Sequence, residues 1–108
     1  MSKRKDLQGG PMAQRDQILG TLKELKEEIG NRYKVRDMGL FGSFVRSQES
    51  EASDVDILVE FEQGADLLDL VALGDFLEEK LGRKVDLVTK RALRPEIRDQ
   101  VIREVAMV

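Results

Sequence analysis

The sequence contains no cysteine and no histidine. Those two absences exclude disulfides, Cys/His zinc sites, Ser-His and Cys-His nucleophile pairs and histidine general bases. Any chemistry therefore runs on carboxylates, hydroxyls, backbone amides, lysine and arginine. Aromatic residues are scarce as well: one tyrosine, four phenylalanines and no tryptophan offer little on which to stack bases. No apolar run approaches the ~20 residues of a membrane helix, and the opening MSKRKDLQGG lacks the apolar centre of a signal peptide. The expectation is a cytoplasmic chain with no membrane partner.

Charge is what the chain has in plenty. Charged residues make up 36% of the 108 residues and hydrophobic ones 41%, which suits one small globular domain and leaves no length for a second. The net charge of −3 hides an uneven distribution. Residues 1–46 hold 10 Lys/Arg against 6 Asp/Glu, residues 47–81 hold 1 against 11, and residues 82–108 hold 7 against 4. The acidic middle would repel phosphate backbones unless cations intervened, which with the shortage of aromatics argues against nucleic acid as a partner.

Residues 1–11, ending in GGP, show no periodicity and read as a flexible tail, which leaves residues 12–108 as the domain. Ile18, Leu22, Leu25 and Ile29 recur at helical spacing in a segment that starts near Met12 and meets a stop at Gly30-Asn31. KVRDMGLF reads as a strand ending at Phe41. DVDILVEF alternates, with Val55, Ile57, Val59 and Phe61 on one face and Asp54, Asp56, Leu58 and Glu60 on the other. Leu67, Leu70, Val71, Leu77 and Leu81 line a helix from Asp66 that ends at Gly82. RKVDLVT is a third strand, and Pro95 opens a last helix whose Ile97, Val101, Ile102 and Val105 are expected to pack on the sheet. The fold class is α/β in the α+β sense: a small mixed sheet with helices packed on one face, the other face offered to chemistry.

Two features bear on function. Side chains two apart on a strand project from one face about 6.5–7 Å apart, so Asp54 and Asp56 sit together. Asp86 interrupts an otherwise apolar strand, and if that strand lies beside the second, the interstrand spacing of about 4.8 Å places it next to the pair. Three such carboxylates cannot all stay ionised without cations, and hard divalent ions prefer oxygen ligands. A D-x-D motif equally fits the wet face of a strand, and Asp86 an edge charge that discourages sheet pairing. The Gly42-Ser43 step after a strand favours the metal reading, because a glycine there lets a ligand approach backbone amides. Ser43 supplies a hydroxyl, and Arg46 lies on the same side if the chain turns helical. A phosphate cradle facing a carboxylate cluster is the equipment of phosphoryl or nucleotidyl transfer.

GSFVRSQESEASDVDILVEF resembles the G-S…S-D-x-D signature of the polymerase beta-like nucleotidyltransferase superfamily, and most closely its minimal, MNT-type members. Gly42, Ser43, Arg46, Ser53, Asp54 and Asp56 match in order and spacing, and Asp86 matches the third family aspartate; Val45 and Ser47 stand where alanine and glycine are usual. The resemblance implies a polymerase beta-like nucleotidyltransferase fold and transfer of a nucleoside monophosphate, AMP from ATP, to an acceptor hydroxyl. It assigns Asp54, Asp56 and Asp86 as catalytic ligands of two Mg²⁺ ions, with Mn²⁺ as a substitute, and Gly42, Ser43, Arg46 and Ser53 as binders of the nucleotide phosphates. It also implies a partner, a helical HEPN-type protein that such a chain silences as the antitoxin of a toxin-antitoxin pair, some members by attaching AMP to a tyrosine. The alternative is a non-catalytic antitoxin or interaction module that neutralises its partner by binding alone. A homodimer is left open. Arg91, Arg94, Arg98 and Arg103 serve either an acidic partner or the solvation of the last helix.

Overall fold

A computed structural model describes residues 14–46 and 53–108. The expected tail at residues 1–11 and the departure at Ser47 lie outside the described residues. The elements in chain order are α1 (Gln14–Tyr33), β1 (Val35–Phe41), β2 (Val55–Phe61), α2 (Leu67–Leu81), β3 (Val85–Thr89), α3 (Pro95–Glu104) and β4 (Ala106–Met107). The sheet order is β3-β2-β1-β4. β1 pairs antiparallel with β2 and β4, whereas β2 and β3 run parallel, as a mixed sheet requires of a pair joined by a crossover helix.

The expected packing on one face holds for the two long helices. Leu22 and Ile29 of α1 and Leu73 and Leu77 of α2 bury completely against Leu40, Val55, Ile57 and Val59. The alternation in β2 produces that face, since every second side chain points at the helices. Helix α1 runs past the expected stop at Gly30-Asn31 because Tyr33 is itself core, stacked 5.4 Å from Phe76. The chain reverses instead at Lys34, whose φ of 59° is the left-handed conformation that ends helices.

Three expectations are corrected. Leu67 and Val71 are exposed, and the buried stripe of α2 is Leu73, Phe76 and Leu77, one register further round the helix. Asp66 and Asp69 explain the start: they exchange side-chain and backbone hydrogen bonds in a capping box that fixes the first turn in solvent. Leu58 is not on a wet face: it buries with Phe41, Leu93 and Val101 in a second cluster. Of the α3 residues expected on the sheet, only Val101 is buried, with Val105 packed beside it, while Ile97 and Ile102 stay exposed. Because Phe41 and Leu58 alternate with Leu40 and Ile57, this cluster puts α3 on the face opposite α1 and α2.

Strand β4 is a feature with no sequence forecast. Its two residues pair with Gly39 and Leu40, and the Val108 N–H donates to the Met38 carbonyl at 3.1 Å. A Cβ on Gly39 would lie 2.7 Å from both Met107 Sδ and Val105 Cγ2, so the bare glycine is the notch into which the C-terminal segment fits.

Candidate active site

The site forms where β1 ends and β2 and β3 begin. The parallel register pairs Asp56 with Asp86 directly, so the two carboxylates start from neighbouring positions on one face. Asp54 precedes the strand by one residue and is exposed, as is Asp86; Asp56 is half-buried. Burial first, then the charges of Asp86 and Asp54, push the Asp56 carboxyl above its ordinary value, while Arg46 pulls the other way. The structure thus brings together the three acids that the sequence singled out. Among the described residues, however, no three acids stand close enough together to hold a metal ion as they are placed.

Gly42 has a physical role that spacing alone did not reveal. Its φ is +80°, which L side chains rarely adopt, and a Cβ there would run into the Asp56 carboxylate. The glycine is therefore needed both for the turn and for the room that Asp56 occupies. Gly42, Ser43 and Phe44 form a single 3₁₀ turn directly after β1, with Phe44 anchored in the core and Ser43 partly exposed. The Arg46 N–H then donates to the Gly42 carbonyl at 3.2 Å, the helical turn that sets Ser43 and Arg46 on one side. Ser53 stands one residue before Asp54 and is half-buried.

Arg46 extends to α3. Its Nη1 donates to Glu104 Oε1 at 2.8 Å, and the Glu104 side chain is only 19% exposed. Sequence reasoning missed Glu104 altogether. Its signal was faint: an acid at the end of a mixed-charge helix, with Val101 and Val105 on the same turn.

The carboxylates fit a divalent cation by their chemistry. They are hard oxygen donors, the half-buried one is destabilised in its charged form by its neighbours, and a cation would reverse that penalty. Beside them lie the Gly42 turn, a serine and an arginine, groups whose chemistry suits phosphate oxygens. No helix among the described residues is long and apolar enough to cross a membrane.

Comparison with known proteins places this arrangement. The family model of the nucleotidyltransferase domain matches residues 22–107. The protein adenylyltransferase MntA of Thermococcus cleftensis is 45% identical over 93 residues, which cover 86% of this chain and 94% of the relative. A solved structure described as a candidate minimal nucleotidyltransferase superimposes with a TM-score of 0.73 at 38% identity, over 91% of this chain and 98% of its own. A toxin-antitoxin crystal structure with AMP-PNP superimposes with a TM-score of 0.62 at 26% identity, over 86% of this chain and 70% of that one. With both the family model and so similar a relative spanning most of its length, the chain belongs to the nucleotidyltransferase domain family, has the polymerase beta-like fold, and is a nucleotidyltransferase.

Proposed function

We propose that this nucleotidyltransferase transfers AMP from ATP to a hydroxyl group of a partner protein, a helical HEPN-type toxin that it silences as an antitoxin in the cytoplasm. The observation that carries the reading is the direct register of Asp56 with Asp86 beside a glycine that leaves room for the Asp56 carboxylate. The MntA relative is named a protein adenylyltransferase, and a structural relative is a toxin-antitoxin assembly with an ATP analogue; both support the choice of nucleotide and of partner class.

In this reading Asp54, Asp56 and Asp86 hold Mg²⁺. Bound there, Mg²⁺ supplies charge neutralisation for the triphosphate and lowers the pKa of the attacking hydroxyl. The amides of the Gly42 turn, the Ser43 hydroxyl, Arg46 and Ser53 hold the β and γ phosphates in line with the acceptor. The acceptor oxygen forms a bond to the α-phosphorus as the bond from that phosphorus to the bridging oxygen breaks, and pyrophosphate leaves with the electron pair. The acceptor proton passes to the Asp86 carboxylate, which faces solvent and can release it. Histidine is not required at any step, in keeping with a chain that has none.

The test combines the purified chain, its helical partner, Mg²⁺ and ATP labelled at the α-phosphate, followed by a denaturing gel. Label should appear on the partner and vanish with Asp54→Asn. A tight complex that never acquires label would instead establish neutralisation by binding alone.

A further inference from the structure

Two acids act on Arg46. Asp56 feels its charge from the sheet side, and Glu104 accepts its hydrogen bond from the α3 side. These two acids compete for one guanidinium, and the outcome decides what else that guanidinium can reach. Drawn onto Asp56, it would neutralise a carboxylate that the reaction needs for its cation. Held by Glu104, it is anchored to α3, and a guanidinium carries five N–H donors in a planar fork that suits carboxylate and phosphate oxygens.

Glu104 is well placed to win. It is the last residue of α3, and it sits between two fixed points, Val101 buried against Phe41 and Leu58, and β4 paired with β1. The Val105 N–H closes the helix by donating to the Val101 carbonyl at 2.9 Å. At 19% exposure the Glu104 carboxylate is largely shielded, which strengthens its pull on a cation relative to a freely solvated acid. Arg46, by contrast, has its backbone tied to the Gly42 turn. The ion pair therefore joins the rigid C-terminal unit to the phosphate turn across 58 residues of sequence.

We propose that Glu104 is a positioning residue for nucleotide binding: it holds the Arg46 guanidinium away from the aspartates and aimed at the triphosphate. This rests on the reading of Arg46 as a phosphate binder given above. Loss of Glu104 lets Arg46 fall back onto Asp56, so nucleotide affinity suffers twice, through a misplaced cation and through a blocked carboxylate.

The experiment is a double-mutant cycle on the full chain with Glu104→Ala, Arg46→Ala and the two combined, with Glu104→Asp as the conservative variant. ATP affinity is measured by calorimetric titration with Mg²⁺, KM and kcat by transfer to the partner, and folding by thermal melting. Glu104→Ala should weaken ATP binding and raise KM about tenfold, with kcat changed far less, as befits loss of one charge-assisted contact. Glu104→Asp should recover part of that loss. In the Arg46→Ala background, Glu104→Ala should have no further effect on affinity. Equal losses in both backgrounds, or unchanged ATP affinity in a folded Glu104→Ala chain, would overturn the proposal. Wild-type protein that binds ATP without labelling the partner would defeat the proposed reaction while leaving the cycle in binding free energy decisive for Glu104. Wild-type protein that binds no ATP would defeat both.

Discussion

The two faces of the sheet follow different rules. On the α1 and α2 side, Leu22, Ile29, Leu40, Ile57, Val59, Leu73 and Leu77 are fully buried and hydrocarbon meets hydrocarbon throughout. On the other side, the boundary between apolar and polar falls within one strand: Leu58 is covered by Val101 and Leu93, while Asp56, two residues earlier, is only half-buried. One face is spent on holding the chain together. The other is split, with a four-residue apolar cluster that anchors α3 at one end and carboxylates exposed at the other. The short helix is thus a partial lid whose placement leaves open the very end of the sheet where the acids gather. A sheet covered equally on both sides would have nowhere to put them without severe desolvation.

The sharpest way to test this division is to remove charge from the open face. Asp54→Asn, Asp56→Asn or Asp86→Asn should each lower transfer to the partner by at least about a hundredfold, the scale for losing a group that stabilises transition-state charge directly. Circular dichroism and melting curves should show each variant folded. A variant that unfolds would move its aspartate from the chemistry to the scaffold. The converse change on the covered face is Leu22→Ala. It should cost about 2–5 kcal/mol in denaturant unfolding, because it opens a cavity in a closely packed core. At a temperature where the variant is still folded, its ATP affinity should match the wild type, and a large affinity loss there would break the separation of the faces.

How much of this was legible beforehand depends on range. The alternation in β2 and the stop at Gly82 with φ +67° are local signals, and the structure shows each in place. The pairing of Asp56 with Asp86 followed from one topological assumption, that the third strand lies beside the second, and the register meets it. Which helix covers which face is not a local property. Leu58 within an otherwise polar alternation was the available hint of a second covered patch, and it was passed over because period-2 arguments treat a face as uniform. Strand β4 has only two residues and owes its pairing to a notch at Gly39 that no periodicity marks. The Arg46–Glu104 pair spans 58 residues and leaves no pattern at all. The expected phosphate and metal roles were read from the aspartate spacing and the Gly42-Ser43 step and sharpened by a motif resemblance, whereas the closeness of Gly42 to Asp56 is visible only in the structure.

That notch offers a third, smaller perturbation that links the faces. Gly39→Ala places a methyl group where Met107, Val105 and the Ala106 carbonyl already stand, at 2.7, 2.7 and 3.0 Å. Overpacking of this kind should cost about 1–3 kcal/mol, and the least costly relief is for β4 to lift from β1. Glu104 is attached to that segment, so the variant should also raise the KM for ATP, although it lies on a strand position away from the carboxylates. Amide hydrogen exchange would register the detachment at Val108, whose N–H bonds to Met38. Normal protection there combined with lower stability would locate the strain elsewhere in β1.

The smallest effect is the most diagnostic of electrostatics. Asp56 has its carboxyl raised from the ordinary 3.8 by burial and then by Asp86 and Asp54, against the pull of Arg46. A group whose folded pKa exceeds its unfolded one binds more protons in the native state over the interval between the two values, so stability falls as pH rises through that interval. Without divalent cations, ionised Asp56 therefore weakens the fold at neutral pH. Asp56→Asn removes the penalty and should raise the melting temperature at neutral pH. The gain should shrink as the pH falls toward the ordinary carboxylate value of 3.8, where the wild-type side chain is itself protonated in the folded state. Mg²⁺ should raise the melting temperature of the wild type at neutral pH more than that of the variant, which lacks one of the three carboxylates. A variant that melts lower than the wild type at neutral pH would mean that Arg46 outweighs the two neighbouring aspartates, and that the charged carboxylate is already at home without a metal.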